Sequence, residues 1–442
     1  MANITIPPTP RQELSMGIRL LILLGMAVVL LIPQSLILYL VHDRGEVAEE
    51  AALSIAEPWG KKQVVAGITL IVPYTVKSDR SDRKVDQMYA FFQPDSLQIG
   101  SVVLPEIRHR GVYESVVYHS ELTVQGSFRP LNRDIIPSDA TVNWNEASIL
   151  CPVSDLVGLK SLIQVRMNDS VYELEPGALR YNISLGSPAL SCPIRITPGR
   201  SLHFAYNYNL NGSERLYFAP TARVTNVDMR LKWGNPSFTG RFLPEERTVT
   251  DSLTTARWSV LYVNTPLEQE WISDGDYDYG SARSLDYDDS DATFGVTVLA
   301  GVDIYQKVYR AVKYGVLMIL FTFLTFFFID SIAKRRVPMI GYVLTGLAIL
   351  LFYTLLLSVS EYLPFGWSYL IAAGSITIMI SLYLRGFVQS KYPTLICAGI
   401  LAILYTFLYV ILQMESFPLL VGSLFLFIVL GLIMWLSQKL EW

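Results

Sequence analysis

AVKYGVLMILFTFLTFFFI, residues 311–329, opens the series of five apolar runs that decides the fold. Four more follow in close succession: Ile340–Ser360, Gly366–Leu384, Leu395–Gln413 and Phe417–Leu436. Each is near the roughly 20 residues that a helix needs to cross about 30 Å of hydrocarbon. None carries Asp, Glu, Lys, Arg or His in its central turns, where such a residue costs about 3 kcal/mol. The charges gather in the breaks instead: Lys334-Arg335-Arg336, Glu361, Arg385 with Lys391, and Glu415, with Lys439 after the last run. This pattern predicts a bundle of membrane helices joined by short loops, not a very apolar soluble core.

Composition agrees. The 442 residues are 51% hydrophobic and 17% charged, where a soluble protein carries about 25% charge. The apolar excess sits in the C-terminal block and in one run near the start. The middle of the chain has the composition of an ordinary soluble domain. A net charge of −4 gives no case for nucleic-acid binding. The three cysteines, Cys151, Cys192 and Cys397, are too few for a disulfide scaffold and lack the paired spacing of a zinc site.

The first apolar run is Leu20–Val41, after Pro-rich Met1–Pro10 and the charged residues Arg11, Glu13 and Arg19. It is longer than the roughly 7–15 residues of a signal-peptide core, and no A-x-A site follows it directly. It is therefore expected to stay as a signal anchor, kinked at Pro33. Lys and Arg in the short loops set the orientation. With the N-terminus inside, the loops holding Lys334–Arg336, Arg385 and Lys391 also lie inside. Lys307, Arg310 and Lys313 oppose this, but they flank a long loop, where the rule is weak.

The expected order is then a cytoplasmic N-terminus (1–19), a first transmembrane helix (20–41), a β-rich periplasmic domain (42–310), a five-helix block (311–436) and a cytoplasmic C-terminus (437–442). The fold class is a membrane protein with a helical bundle of one plus five spans and a large β-rich domain.

Within the exported section, Asp43–Glu57 reads as a helical stalk ended by Pro58. Short runs of Val, Ile, Tyr, Phe and Thr then follow, among them Val64–Val72, Ser115–Val124, Tyr181–Ser184, Leu202–Leu210, Arg223–Lys232 and Ala256–Tyr262. His203-Phe204-Ala205-Tyr206-Asn207-Tyr208 alternates with period two, as a half-buried strand does. Asn168-Asp169-Ser170 and Asn211-Gly212 read as hairpin turns. Many short strands and few helices predict an antiparallel sandwich or large twisted sheet. Ser154–Lys160 reads as a short helix capped by Ser154 or Asp155. Asp303-Ile304-Tyr305-Gln306 fits a capping box, which would start a helix running through Tyr309 and Tyr314 into the membrane.

No catalytic constellation stands out. His42, His109, His119 and His203 lack metal-spaced partners. G-x-S-x-G, P-loop, H-E-x-x-H and C-x-x-C motifs do not occur. Ser273–Asp291 holds seven Asp, but Tyr279 and Leu285 stand where a calcium loop needs Gly and Glu, so a solvated surface loop is expected. Cys151 and Cys192 share the exported section, which makes them a candidate disulfide; their separation is not legible in sequence. No cofactor is expected. The hydroxyls in the apolar runs, such as Thr322, Thr325, Tyr353, Tyr405 and Tyr409, are of the kind that bond across helices or to their own backbone. Gly341, Gly346, Gly374 and Gly431 would allow close helix approach.

Several local stretches together resemble the CreD family of bacterial inner-membrane proteins. Pro94-Asp95-Ser96-Leu97 and Arg110-Gly111-Val112-Tyr113 are similar to two of its motifs. Trp233-Gly-Asn-Pro236-Ser237-Phe238-Thr-Gly240-Arg-Phe242-Leu243-Pro244 is similar to its W-x-x-P-S-F-x-G-x-F-L-P. Tyr342–Leu347 and Phe352–Glu361 match its third helix. Gly67-Ile68 departs from the usual Gly-Pro.

The resemblance implies a protein linked to cell-envelope integrity or stress tolerance, under a two-component system in some bacteria. It implies no enzyme activity and no defined site. The expected partners are the lipid bilayer and other envelope proteins. A transporter or lipid conduit is the alternative, and an exported hydrolase a third reading, disfavoured by the missing nucleophile or metal motif. In the motif, Trp233, Pro236, Phe238, Gly240 and Pro244 suit a rigid corner packed on a sheet, with a partner-docking loop as the competing role.

The charge pattern makes one direct prediction. A reporter active only in the periplasm, fused after Trp442, is expected to be silent; activity there contradicts the orientation.

Overall fold

A computed structural model describes residues 16–77, 85–131, 133–176, 189–234, 236–274, 292–298, 303–333, 337–388, 391–414 and 418–438. The chain divides into two compact units: Met1–Glu49 with Val302–Trp442, and Glu50–Gly301. Tyr181–Ser184 and nearly all of the Asp-rich loop lie outside the described residues.

The first unit is helical. α1 (Met16–Val29) and α2 (Leu31–Ala56) follow each other with a break at Leu30, one turn before Pro33, whose ring crowds the carbonyl four residues back and which has no N–H to donate. α3 (Asp303–Lys313) and α4 (Gly315–Ala333) meet at Tyr314 with a bend of 44°. α5 (Met339–Ser360), α6 (Phe365–Val388), α7 (Lys391–Gln413) and α8 (Pro418–Ser437) complete it. Among the described residues, four helical stretches are long and apolar enough to cross a membrane, or five with the bent pair as one span; Leu420–Trp435 in α8 is shorter.

The expected unbroken helix from Asp303 is thus corrected to two, hinged at Tyr314. Polar α3 buries only a stripe, Val308, Ala311 and Val312, whereas α4 is apolar all round. Arg19 pairs with Asp330 at 3.6 Å, which brings the start of α1 to the end of α4.

α5 is the most enclosed of the four long apolar helices. Its Phe352 ring lies 4.9 Å from Tyr353, 5.4 Å from Tyr369 and 4.7 Å from Tyr405. Of the expected close-approach glycines, Gly346 packs against Leu30 and Phe323, while Gly374 and Gly431 face open space. Of the hydroxyls named from sequence, Thr322 and Thr325 donate to carbonyls one turn back, whereas those of Tyr353 and Tyr405 have no hydrogen-bond partner among the described residues. Thr345 also donates one turn back, and Tyr369 donates across to Tyr405 O at 2.7 Å.

The second unit is β-rich, with the strands of its described residues in sheets of eight, seven and four. The spine of the largest sheet is a hairpin of Ser96–Arg110 and Tyr113–Phe128, turning at Gly111 (φ 66°). Leu202–Ser213 adds to one side of this hairpin and Val224–Leu231 to the other. Pairing is antiparallel except at two places, where Gln63–Val65 meets Arg215–Phe218 and Ser96–Arg110 meets Val224–Leu231.

Period-two alternation sets the faces. Phe204, Tyr206 and Tyr208 point inward while His203, Ala205 and Asn207 are exposed. Inner residues of all three sheets, including Tyr74, Ile99, Val124, Tyr206, Phe218 and Phe294, share one core.

Asn168 and Asp169 make the expected turn, with Asn168 at φ 48°. Asn211-Gly212 does not: the strand runs through to Ser213, and the positive φ (58°) falls on Glu214. Asn211 is instead a buried strand residue whose side chain pairs with His119 Nδ1 at 2.8 Å. Asp155 caps a short 3-10 turn at Leu156–Gly158, accepting from Val157 N at 3.0 Å.

Candidate functional site

Three places could carry function: the Trp233–Pro244 motif, the cysteine pair, and the junction of α3 and α4.

The motif wraps an aromatic cluster. Trp233 leaves the strand Val224–Leu231, and its carbonyl accepts from the Thr254 hydroxyl at 2.8 Å. After half-buried Pro236, the strand Ser237–Gly240 pairs with Phe294–Thr297. Gly240 has φ 100°, and a Cβ there would stand 2.4 Å from Thr293 O and 2.6 Å from Phe294 Cα. Only glycine fits both the angle and the space. The corner then delivers Phe242 edge-on to Phe294 at 5.9 Å, and its carbonyl accepts from Trp258 Nε1 at 3.2 Å.

Phe238 lies 5.9 Å from Trp258 on one side, with the Arg247 guanidinium 5.7 Å from its ring centre. Trp258 is 1% exposed. Phe238 itself is half-buried, so it covers the cluster and does not fill an enclosed pocket. Leu243 is exposed at the tip, beside half-buried Pro244.

Cys151 and Cys192 lie on neighbouring antiparallel strands, Cys151 opposite Leu190 and Cys192 opposite Ile149. The two are diagonal neighbours on one face, and both pack on the main core. Diagonal neighbours sit about 7–8 Å apart, at the limit for a disulfide, and no disulfide joins them in this structure. Burial pushes the Cys151 thiol up to about 12, which keeps it protonated and poorly nucleophilic. The same burial raises the hydroxyls of Tyr206 and Tyr208 well above their ordinary value. Among the described residues no group of three or more His, Cys, Asp and Glu could hold a metal ion.

The helix junction is a place that sequence reasoning missed. The bend at Tyr314 interrupts the helical hydrogen-bond ladder, and Gln34 of α2 donates its amide to Val312 O at 2.8 Å. Gln34 is 4% exposed. A Cβ on Gly315 would stand 3.2 Å from both Gln34 Nε2 and Tyr353 Cε2, so glycine lets the three elements meet.

Gln34 Oε1 and the hydroxyls of Tyr353 and Tyr405 are buried with no hydrogen-bond partner among the described residues. Such orphans point to buried water or another small polar group. Nearby, Arg310 donates to Ile411 O at 3.3 Å and Met414 O at 3.2 Å, satisfying carbonyls at the end of α7. Lys307 lies 5.8 Å from the Phe365 ring centre and Lys313 4.7 Å from that of Tyr309. The three cations that opposed the orientation thus each have a partner in the helical unit. The signal that could have found the junction is a glutamine inside the first apolar run.

The sequence profile of the family described as Inner membrane protein CreD matches residues 15–442. Inner membrane protein CreD of Escherichia coli (strain K12) is 26% identical over 427 residues, covering 95% of this chain and 92% of that protein. Among solved structures, a candidate nutrient-binding protein of Legionella pneumophila aligns with a TM-score of 0.26 and 8% identity, over 48% of this chain and 71% of that one. An M1 zinc metallopeptidase of Deinococcus radiodurans aligns with a TM-score of 0.20 and 12% identity, over 38% of this chain and 39% of that one. Scores this low carry no argument about fold or function.

Truncating an enclosed Phe costs about 3–5 kcal/mol, and a half-buried ring is expected to lose less, about 2 kcal/mol. Phe238→Ala and Gly240→Ala are both expected to lower the melting temperature of the full chain in detergent, Gly240→Ala more. Wild-type melting of both, together with loss of function in cells, would make the corner a docking surface.

Proposed function

The chain belongs to the CreD family of inner membrane proteins, and from that premise we propose that it serves cell-envelope integrity or stress tolerance as a non-catalytic, multi-pass protein. In this proposal six spans, one plus five, carry the β-rich domain on the periplasmic side, with both termini in the cytoplasm. Its partners are the bilayer and other envelope proteins.

The observation that carries the proposal is how the family motif is used. Phe238, Gly240 and the Phe242 carbonyl are all engaged around Trp258 and Phe294. Residues spent on one aromatic cluster support a scaffold role for the motif rather than chemistry. The ion pair of Arg19 with Asp330 supports placing the start of α1 and the end of α4 at the same membrane face.

A second reading, a transporter or conduit, draws on the orphaned polar atoms of Gln34, Tyr353 and Tyr405. Intramembrane polar groups and broken helices are found where transporters bind substrate. Here the Gln34 amide also has a structural task at the bend, which favours the scaffold.

The test is the detergent sensitivity of cells lacking their own copy of the gene. The full chain is expected to restore growth, and a chain without residues 50–301 is expected not to. Equal sensitivity with and without the gene would overturn the proposed role. Rescue by the truncated chain would move the function to the helices and favour the conduit.

A further inference from the structure

An apolar cleft of about 380 Å³ opens between α4, α7 and α8. That volume is within the range of ligand sites, about 300–1,000 Å³. Its walls run along α4 from Phe321 to Ile329, along α7 from Leu404 to Pro393, and along α8 from Phe425 to Ile433. Thr325 is the one hydroxyl in the lining, and it donates to Phe321 O at 2.8 Å within its own helix. The cleft therefore offers water no free side-chain donor and very little polar surface.

One end is shut by aromatic rings. Phe425 stacks on Phe407 at 3.5 Å and meets Phe321 edge-on at 6.1 Å. The opposite end lies at the start of α7, where Lys391 and Tyr392 are exposed.

At about 1.5 Å per residue, Pro393 to Leu404 spans about 16 Å. That is half of the roughly 30 Å hydrocarbon core, the depth of one leaflet. A wall this apolar, one leaflet deep and closed at mid-membrane, matches an acyl chain entering from the interface. An exposed Lys and Tyr at the level of the mouth are the residues that meet a headgroup phosphate.

We propose that this cleft holds one acyl chain of an anionic phospholipid, taken from the leaflet at the start of α7, with Lys391 at the level of its phosphate. The closed aromatic end makes it a holding site and not a path across the membrane.

The test uses the full chain, extracted in mild detergent, supplied with equal phosphatidylglycerol and phosphatidylcholine, and read by native mass spectrometry. The wild type is expected to retain one phosphatidylglycerol in preference to phosphatidylcholine. Ile400→Trp fills the cleft, and Ile403→Trp narrows its rim; both are expected to lose the retained lipid. Leu382→Trp, on the exposed face of α6, is expected to keep it. Lys391→Gln is expected to keep a lipid but lose the preference. Melting temperatures near that of the wild type show that the variants fold. Equal lipid retention in wild type and both cleft variants overturns the site, and retention without headgroup preference in the wild type overturns the part given to Lys391.

Discussion

The bend between α3 and α4 is the constraint on which the helical unit depends. In hydrocarbon, an unpaired backbone group costs several kcal/mol because no water can replace the lost partner. The interruption at Tyr314 leaves Val312 O without its helical donor, and the Gln34 amide supplies one at 2.8 Å. One polar side chain on α2 therefore fixes where the C-terminal block begins. Gly315 suits this meeting, since a Cβ there would stand 3.2 Å from both Gln34 Nε2 and Tyr353 Cε2, and one of them would have to give by a few tenths of an ångström.

The β-rich unit has a corresponding centre in Trp258. It is fully buried, its indole N–H is satisfied by Phe242 O, and Phe218, Phe238 and Phe294 surround it within 6.3 Å. The motif that carries the family resemblance closes one side of this cluster. A single buried aromatic, held by hydrogen bond and ring contacts, thus ties the strand Thr254–Leu261 to the four-stranded sheet.

Much of this architecture was legible in the residues. Apolar runs of membrane length stand out because charge is so costly in lipid, and helices lie where the runs do. Alternation exposed Leu202–Leu210 as a half-buried strand, which the structure extends to Ser213. The long strand Ser96–Arg110 was not legible, because Gly100 and Pro105 interrupt its pattern and its last turn-ward residues are polar. Asn211-Gly212 looked like a turn because turn chemistry is local, whereas its role is set by His119 and Tyr118 on the neighbouring strand. The candidate sites were less visible still. The Trp233–Pro244 corner announced itself through its Pro and Gly spacing. The junction at Gln34 and the cleft beside Phe425 depend on contacts between helices far apart in sequence, which periodicity cannot report.

The most direct measurement is hydrogen–deuterium exchange across residues 308–320 of the full chain in a bilayer disc, comparing wild type with Gln34→Leu. Leucine keeps the bulk of the side chain and removes the donor to Val312 O. Faster exchange confined to the α3–α4 junction, with a lowered melting temperature and unchanged exchange in the β-rich unit, is the predicted result. Wild-type exchange at the junction in the variant would contradict it, and would mean that the bend is held by packing alone.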